Sequence, residues 1–153
     1  MADPTSEILD ALETALGDNT VIKGLGTEII NEMPEMGTLR SNTIYMIRNG
    51  PELEERLLGN TDIYSCTCTS SFFFKPSMNR YIAGFSNTST EEIDGERLLS
   101  AVFGEMCKVL KDITVSGLNI AEHGIVASNQ SNASESSMSF YVAEVVTKTS
   151  YEA

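Results

Sequence analysis

Two helical periodicities frame a chain otherwise patterned for β-structure, and that order restricts the folds open to it. Ile8, Leu9, Leu12 and Leu16 recur at helical spacing, with Glu7, Asp10 and Glu13 on the opposite side. Leu99, Val102, Phe103, Met106, Leu110 and Ile113 form a second stripe. Asp62 to Phe74 lies between them and Met138 to Tyr151 after them, both patterned as strands. A helix stripe has to be covered, and a sheet face covers it. The expected class is therefore α+β: a mostly antiparallel β-sheet with two main helices packed on one face, a single domain over residues 1–153. A chain of this length buries roughly 70% of its unfolded surface around one core.

Local signals set the expected boundaries. Asp3 or Thr5 can cap the first helix, Pro4 fits its first position and Gly17 a stop. Val21 to Lys23 and Thr27 to Met33 read as short strands, and Gly24-Leu25-Gly26 as a turn. Thr43 to Arg48 is a strand by its β-branched and aromatic content, closed by an Asn49-Gly50-Pro51 turn. Glu52 to Leu58 reads either as a helical turn or as the start of the next strand. Arg80 to Phe85 offers a hairpin partner for Asp62 to Phe74. Ser86 to Thr90 reads as a loop, and Ser89 with Glu92 matches a capping box for a helix over Glu91 to Ile113. Glu91, Glu92 and Asp94 in its first turn, with Lys108 and Lys111 in its last, suit the helix dipole. Thr114 to Ala127 should hold one strand. The polar run 128–137 reads as a mobile hairpin loop. A break in alternation near Glu144-Val145 suggests a bulge in the final strand.

Charge narrows the function classes. Twenty-two acidic residues against ten basic give a formal net charge of −12. The basic residues are scattered, so no patch exists to displace counterions from phosphates, and nucleic acid is not a held ligand. No segment nears the roughly 18 apolar residues of a membrane span. Met1-Ala2-Asp3-Pro4 lacks the regions of a secretory signal, so an intracellular compartment and reduced thiols are expected.

No convincing catalytic, cofactor or metal constellation emerges. His123 is the sole histidine, and Glu122 beside it would point to the other side of a strand. It reads as a structural residue, against the alternative of a small cytosolic enzyme or binding module that uses it. Cys66, Cys68 and His123 could supply three zinc ligands, but no paired C-x-x-C spacing accompanies them. Phe72-Phe73-Phe74 must send aromatic rings to both faces of a sheet. They fit either a two-sided core beneath a loop or an anchor in a subunit interface. With Phe140 and Val142 of the last strand, which is either internal or an edge, they make Phe72, Phe73, Phe74, Phe140 and Val142 the candidate subunit interface.

The chain resembles the tail terminator and neck proteins of long-tailed bacteriophages. The resemblance is carried by the opening Ser6–Leu12 helix, the Thr43–Arg48 and Asp62–Phe74 strands, the Glu91–Ile113 helix and the Ser139–Val146 strand. It is one of element order, size and texture over most of the chain. It implies a non-enzymatic virion protein, assembled in the host cytoplasm as a homo-oligomeric ring, a hexamer. The ring would cap the tail tube, end its polymerisation and join it to neck or connector proteins. DNA would pass through its lumen without specific binding. Other virion rings, such as a connector or tail-tube protein, share this size and class.

Overall fold

The computed structural model of the chain describes residues 4–24, 27–32, 42–56, 62–74, 79–81, 92–135 and 138–152. Helix α1 (Pro4–Asp18) buries Thr5, Ile8, Leu12 and Leu16 and ends one residue beyond Gly17. Asp3, its expected cap, lies outside the described residues. The next segment is a short helix, α2 (Thr20–Gly24), where a strand over Val21–Lys23 was expected. The reason is Asn19. Its side-chain oxygen accepts the N–H groups of Val21 and Ile22, both at 3.0 Å, so it acts as an N-cap. Its amide also donates to Glu105 at 2.9 Å and pins this corner to the later helix. Of the expected Thr27–Met33 strand, Glu28–Ile30 form β1, Thr27, Asn31 and Glu32 are not strand, and Met33 lies outside the described residues.

The main sheet has the order β1-β2-β3-β7-β6, with only the β1–β2 pair parallel. Its members are β2 (Thr43–Arg56), β3 (Asp62–Phe74), β6 (Ile120–Glu135) and β7 (Met138–Glu152). The Asp62–Phe74 strand has the expected bounds. β2 does not stop at the Asn49-Gly50-Pro51 turn and carries on to Arg56. The interruption is absorbed as a register shift between Asn49 and Glu52. Gly50 makes this possible, because at φ +114° a Cβ there would lie 2.9 Å from the Ser65 carbonyl oxygen. Glu52–Arg56 are thus strand, and Leu57 and Leu58 lie outside the described residues.

Four further expectations are corrected. Residues 79–81 form β4, which pairs with β5 (Glu92–Asp94) as a separate ribbon and not with β3. Both sides of β3 are already taken, by β2 and β7. With Glu92 and Asp94 in that ribbon, helix α3 spans Gly95–Leu110, and Glu92 has no capping-box place. Ser86–Thr90 and Glu91 lie outside the described residues. The expected 128–137 loop is strand over Ser128 to Glu135, and Ser136 and Ser137 lie outside the described residues. Ser128 to Glu135 stand in register with Val145 to Met138, since a ladder is built from backbone groups whatever the side chains. Finally, β3 and β7 pair without a break past Glu144-Val145. The register shifts are on β6, at Ile120/Glu122 and Ile125/Ala127.

Helices α1, α2 and α3 cover one face of the sheet. Ile8, Leu12, Leu16 and Ile22 meet Leu98, Leu99, Val102, Met106 and Leu110 over Ile44, Met46, Cys66, Cys68, Phe72, Phe74, Ala143 and Val145. Phe103 and Ile113 are half-buried at its margin. The arrangement is a single α+β domain. No helix among the described residues is long and apolar enough to cross a membrane.

Candidate assembly surface

The second face of the sheet changes character along its length. At one end Tyr45, Phe73, Phe140 and Val142 form a small separate apolar cluster with Ile30 packed against it. Tyr45 and Phe140 each present an edge-to-face contact to Phe73, with ring centroids 5.6 and 6.3 Å apart. Next along the face, the Ser71 hydroxyl donates to Glu144 at 3.2 Å. At the far end Glu54 accepts from Ser150 at 2.7 Å and pairs with Lys148. This pairing holds the Glu54 carboxyl below the usual carboxylate range, with the Lys148 hydrogen bond the largest cause. It likewise raises Lys148, chiefly through the hydrogen bond to Glu54.

This gradation explains the apparent bulge in the last strand. Val145 and Thr147 face the helices, whereas Phe140 and Val142 face the other side. The apolar positions change face partway along a regular strand, which in one dimension looks like a skipped residue.

The five candidate interface residues divide in the same way. Phe72 and Phe74 are fully buried under the helices, and their rings meet at 5.5 Å. Phe73, Phe140 and Val142 lie in the cluster on the second face, with 9% exposure at most. The structure brings Phe73, Phe140 and Val142 together and separates Phe72 and Phe74 from them by the thickness of the sheet. All five spend their side-chain surface inside the chain, so what they offer a neighbour is support for the sheet. β7 is internal, flanked by β3 and β6. The large apolar groups exposed among the described residues, Leu53 on β2 and Val126 on β6, carry no signal in the sequence pattern. The break at Asn49-Gly50-Pro51 hid the first, and the second occupies the β6 register shift.

His123 is a strut. Its Nε2 lies 2.7 Å from the Leu110 carbonyl, which can only accept, so Nε2 carries the proton. Its Nδ1 lies 2.7 Å from the Thr149 hydroxyl, which in the neutral ring donates to it. A hydroxyl beside an oriented imidazole has the outline of a nucleophile and base. Thr149 is buried at 1% exposure, however, and no substrate atom could reach its oxygen. The contact instead closes the C-terminal end of α3 onto β6 and β7.

Cys66 and Cys68, neither in a disulfide, lie buried on the helix-covered face of β3, and Cys107, also outside any disulfide, is half-buried on α3. Burial pushes Cys68 up to about 11 and also raises Cys107. Among the described residues no group of three or more His, Cys, Asp or Glu side chains is placed to hold a metal ion. Among the described residues, open surface grooves occur. One runs between α1 and residues 112–116, another beside Glu54, Glu122 and Ser150, and a third between α1 and Ile29.

No protein-family model matches the chain, and no curated protein matches it in sequence. Solved structures do match. One is a chain in a structure described as the virion of a native gene transfer agent particle. It aligns over 99% of this chain and 100% of its own length, with a TM-score of 0.59 and 12% sequence identity. The two chains share a fold from end to end.

Proposed function

We propose that this chain is a structural virion protein. In this reading its copies form a ring, a hexamer, at the head-proximal end of a phage-type tail. The ring ends tube polymerisation and joins the tail to neck or connector proteins. The observation that carries the reading is the fold likeness, over 99% of this chain and 100% of the other, to a chain from a virion. Sequence texture points the same way, through the resemblance to tail terminators. The charge is also compatible, since a six-fold ring of chains at −12 each carries a formal charge of about −70. A lumen of that sign lets DNA pass without gripping it.

The mechanism is physical. Ring closure covers subunit edges, and one ring face matches the tube while the other presents a different surface to the neck. That asymmetry stops further tube growth. No bond is made or broken, which agrees with a histidine whose two nitrogens are occupied by fold contacts. Light scattering on the purified chain, with electron microscopy after mixing with tail tubes, tests the reading. Rings seated at one tube end are expected. A persistent 16.7 kDa monomer at all concentrations, with tube ends present, overturns it.

A further inference from the structure

A trough runs along α1 on the side that meets the segment after α3. Ala11 and Ala15, one turn apart, share a face of the helix and line part of its floor. Ile113 and Val115 line the rest, and both pack half-buried against the main core. The trough stays open because alanine stands at these two helix positions, next to the buried Leu12 and Leu16. Glu7, Asp10 and Asp112 complete its walls, the two aspartates exposed, and no Lys or Arg lines it.

None of these three carboxylates has a hydrogen-bond or ion-pair partner among the described residues. The other two grooves differ. In one, Glu13 accepts from Asn31 at 2.8 Å, and in the other Glu54 is paired with Lys148. The imbalance around α1 extends along the chain, since five acidic residues and no basic one precede Lys23. The last turn of α1 holds Asp18 and no basic residue, against the helix dipole. Carboxylates gathered over an apolar floor repel one another and leave that floor in water, and one kind of occupant relieves both.

We propose that this trough takes a short extended segment of a partner protein, one in which aliphatic side chains lie between Lys or Arg residues. From Glu7 to Ala15 the helix rises ~12 Å, which matches about four residues of extended chain. The aliphatic groups lie on Ala11, Ala15, Ile113 and Val115. The long basic side chains run beside them and reach Glu7 and Asp10 on one wall and Asp112 on the other. Opposite charge selects the segment, and the apolar floor holds it. A polyamine satisfies the walls and leaves the floor bare, and an acidic segment is repelled. The proposal does not depend on ring closure, because a single copy carries the whole trough.

Methyl NMR on the full chain, labelled at Ala, Ile and Val, tests this by titration with the peptide Arg-Leu-Lys-Leu-Arg. Shifts at Ala11, Ala15, Ile113 and Val115 are expected. Neutralising the walls together (Glu7→Gln, Asp10→Asn, Asp112→Asn) should weaken binding by about tenfold. Glu52→Gln, Glu55→Gln and Glu122→Gln together change the net charge by the same amount and should leave binding as it was. Ala15→Lys fills the trough without touching a carboxylate and should remove the Ala11 shift, which keeps the test open if the triple variant folds poorly. Arg-Ser-Lys-Ser-Arg should bind more weakly than the leucine peptide by at least about tenfold. Equal binding of the two peptides, equal losses in the two triple variants, shifts centred away from the trough, or no shifts at all would each overturn the proposal.

Discussion

The two faces of the central sheet solve the same burial problem differently. Beneath α1, α2 and α3 the sheet carries apolar groups from Phe74 and Tyr141 at one end to Tyr64 and Tyr151 at the other, with Ser70, Thr147 and Thr149 buried among them. The opposite face gathers its aromatic groups around Phe73 and Phe140, and its far end carries Glu54, Lys148 and Ser150 beside Ile63. A face covered along its whole length can take aromatic and aliphatic groups anywhere. A face left partly open has to hand its apolar positions over to polar ones where cover ends. The lesson is that one strand can serve both regimes. β3 and β7 each send aromatic groups to both faces at one end and carry mostly polar groups on the second face towards the other.

Substitutions on neighbouring residues can break the comparison. Phe72→Ala empties a fully enclosed site under the helices and should cost about 3–5 kcal/mol. Phe73→Ala removes the same group from the small cluster, where the remaining rings have room to collapse, and should cost roughly 2–3 kcal/mol. Denaturant unfolding of both measures the difference. Equal losses would mean that the second face is as tightly enclosed as the first.

A smaller effect tests the strut between the helical layer and the sheet. His123→Ala takes a partner from the Thr149 hydroxyl and from the Leu110 carbonyl, and should cost about 1–3 kcal/mol. Hydrogen exchange should show the loss as faster opening at the C-terminal end of α3 while the Phe73 cluster keeps its protection. Uniformly faster exchange would argue against a local role.

The smallest effect belongs to the open end. Glu54 is held below its ordinary 4.5, so its pair with Lys148 contributes stability above that value and loses it as pH falls through the lowered one. Lys148 is held above its ordinary 10.5, so its contribution is present below that value and lost as pH rises through the raised one. Thermal melts of Lys148→Met should therefore fall less steeply than the wild type on acidification, by a degree or so at most for an exposed pair. A steeper fall than the wild type would contradict the pairing.

Much of the scaffold was readable one residue at a time. Ile8, Leu12 and Leu16 mark α1 because a covered helix repeats its apolar groups every three or four positions. The bounds of β3 follow from its unbroken Asp62–Phe74 pattern. The errors fall where a local signal was outweighed by a partner distant in sequence. Asn49-Gly50-Pro51 has the composition of a turn, yet pairing with β3 carries β2 through it. Ser128 to Glu135 have the composition of a loop, yet pairing with β7 makes them strand. Asn19 is the reverse case, a legible helix cap that outweighs the β-branched Val21 and Ile22 after it.

The candidate surface was less legible still. The aromatic triplet drew the eye, but large apolar groups in sequence say only that burial is needed, not whether the same chain supplies it. Composition and periodicity by themselves determined the class of fold, the helix stripes and the acidic net charge, because those depend on spacing and charge along the chain. Which edges remain open, which face each Phe takes, and that His123 spans α3 and β7 were decided by the tertiary structure. Those properties belong to pairs of residues far apart in the chain, and only the closed ladder brings them into contact.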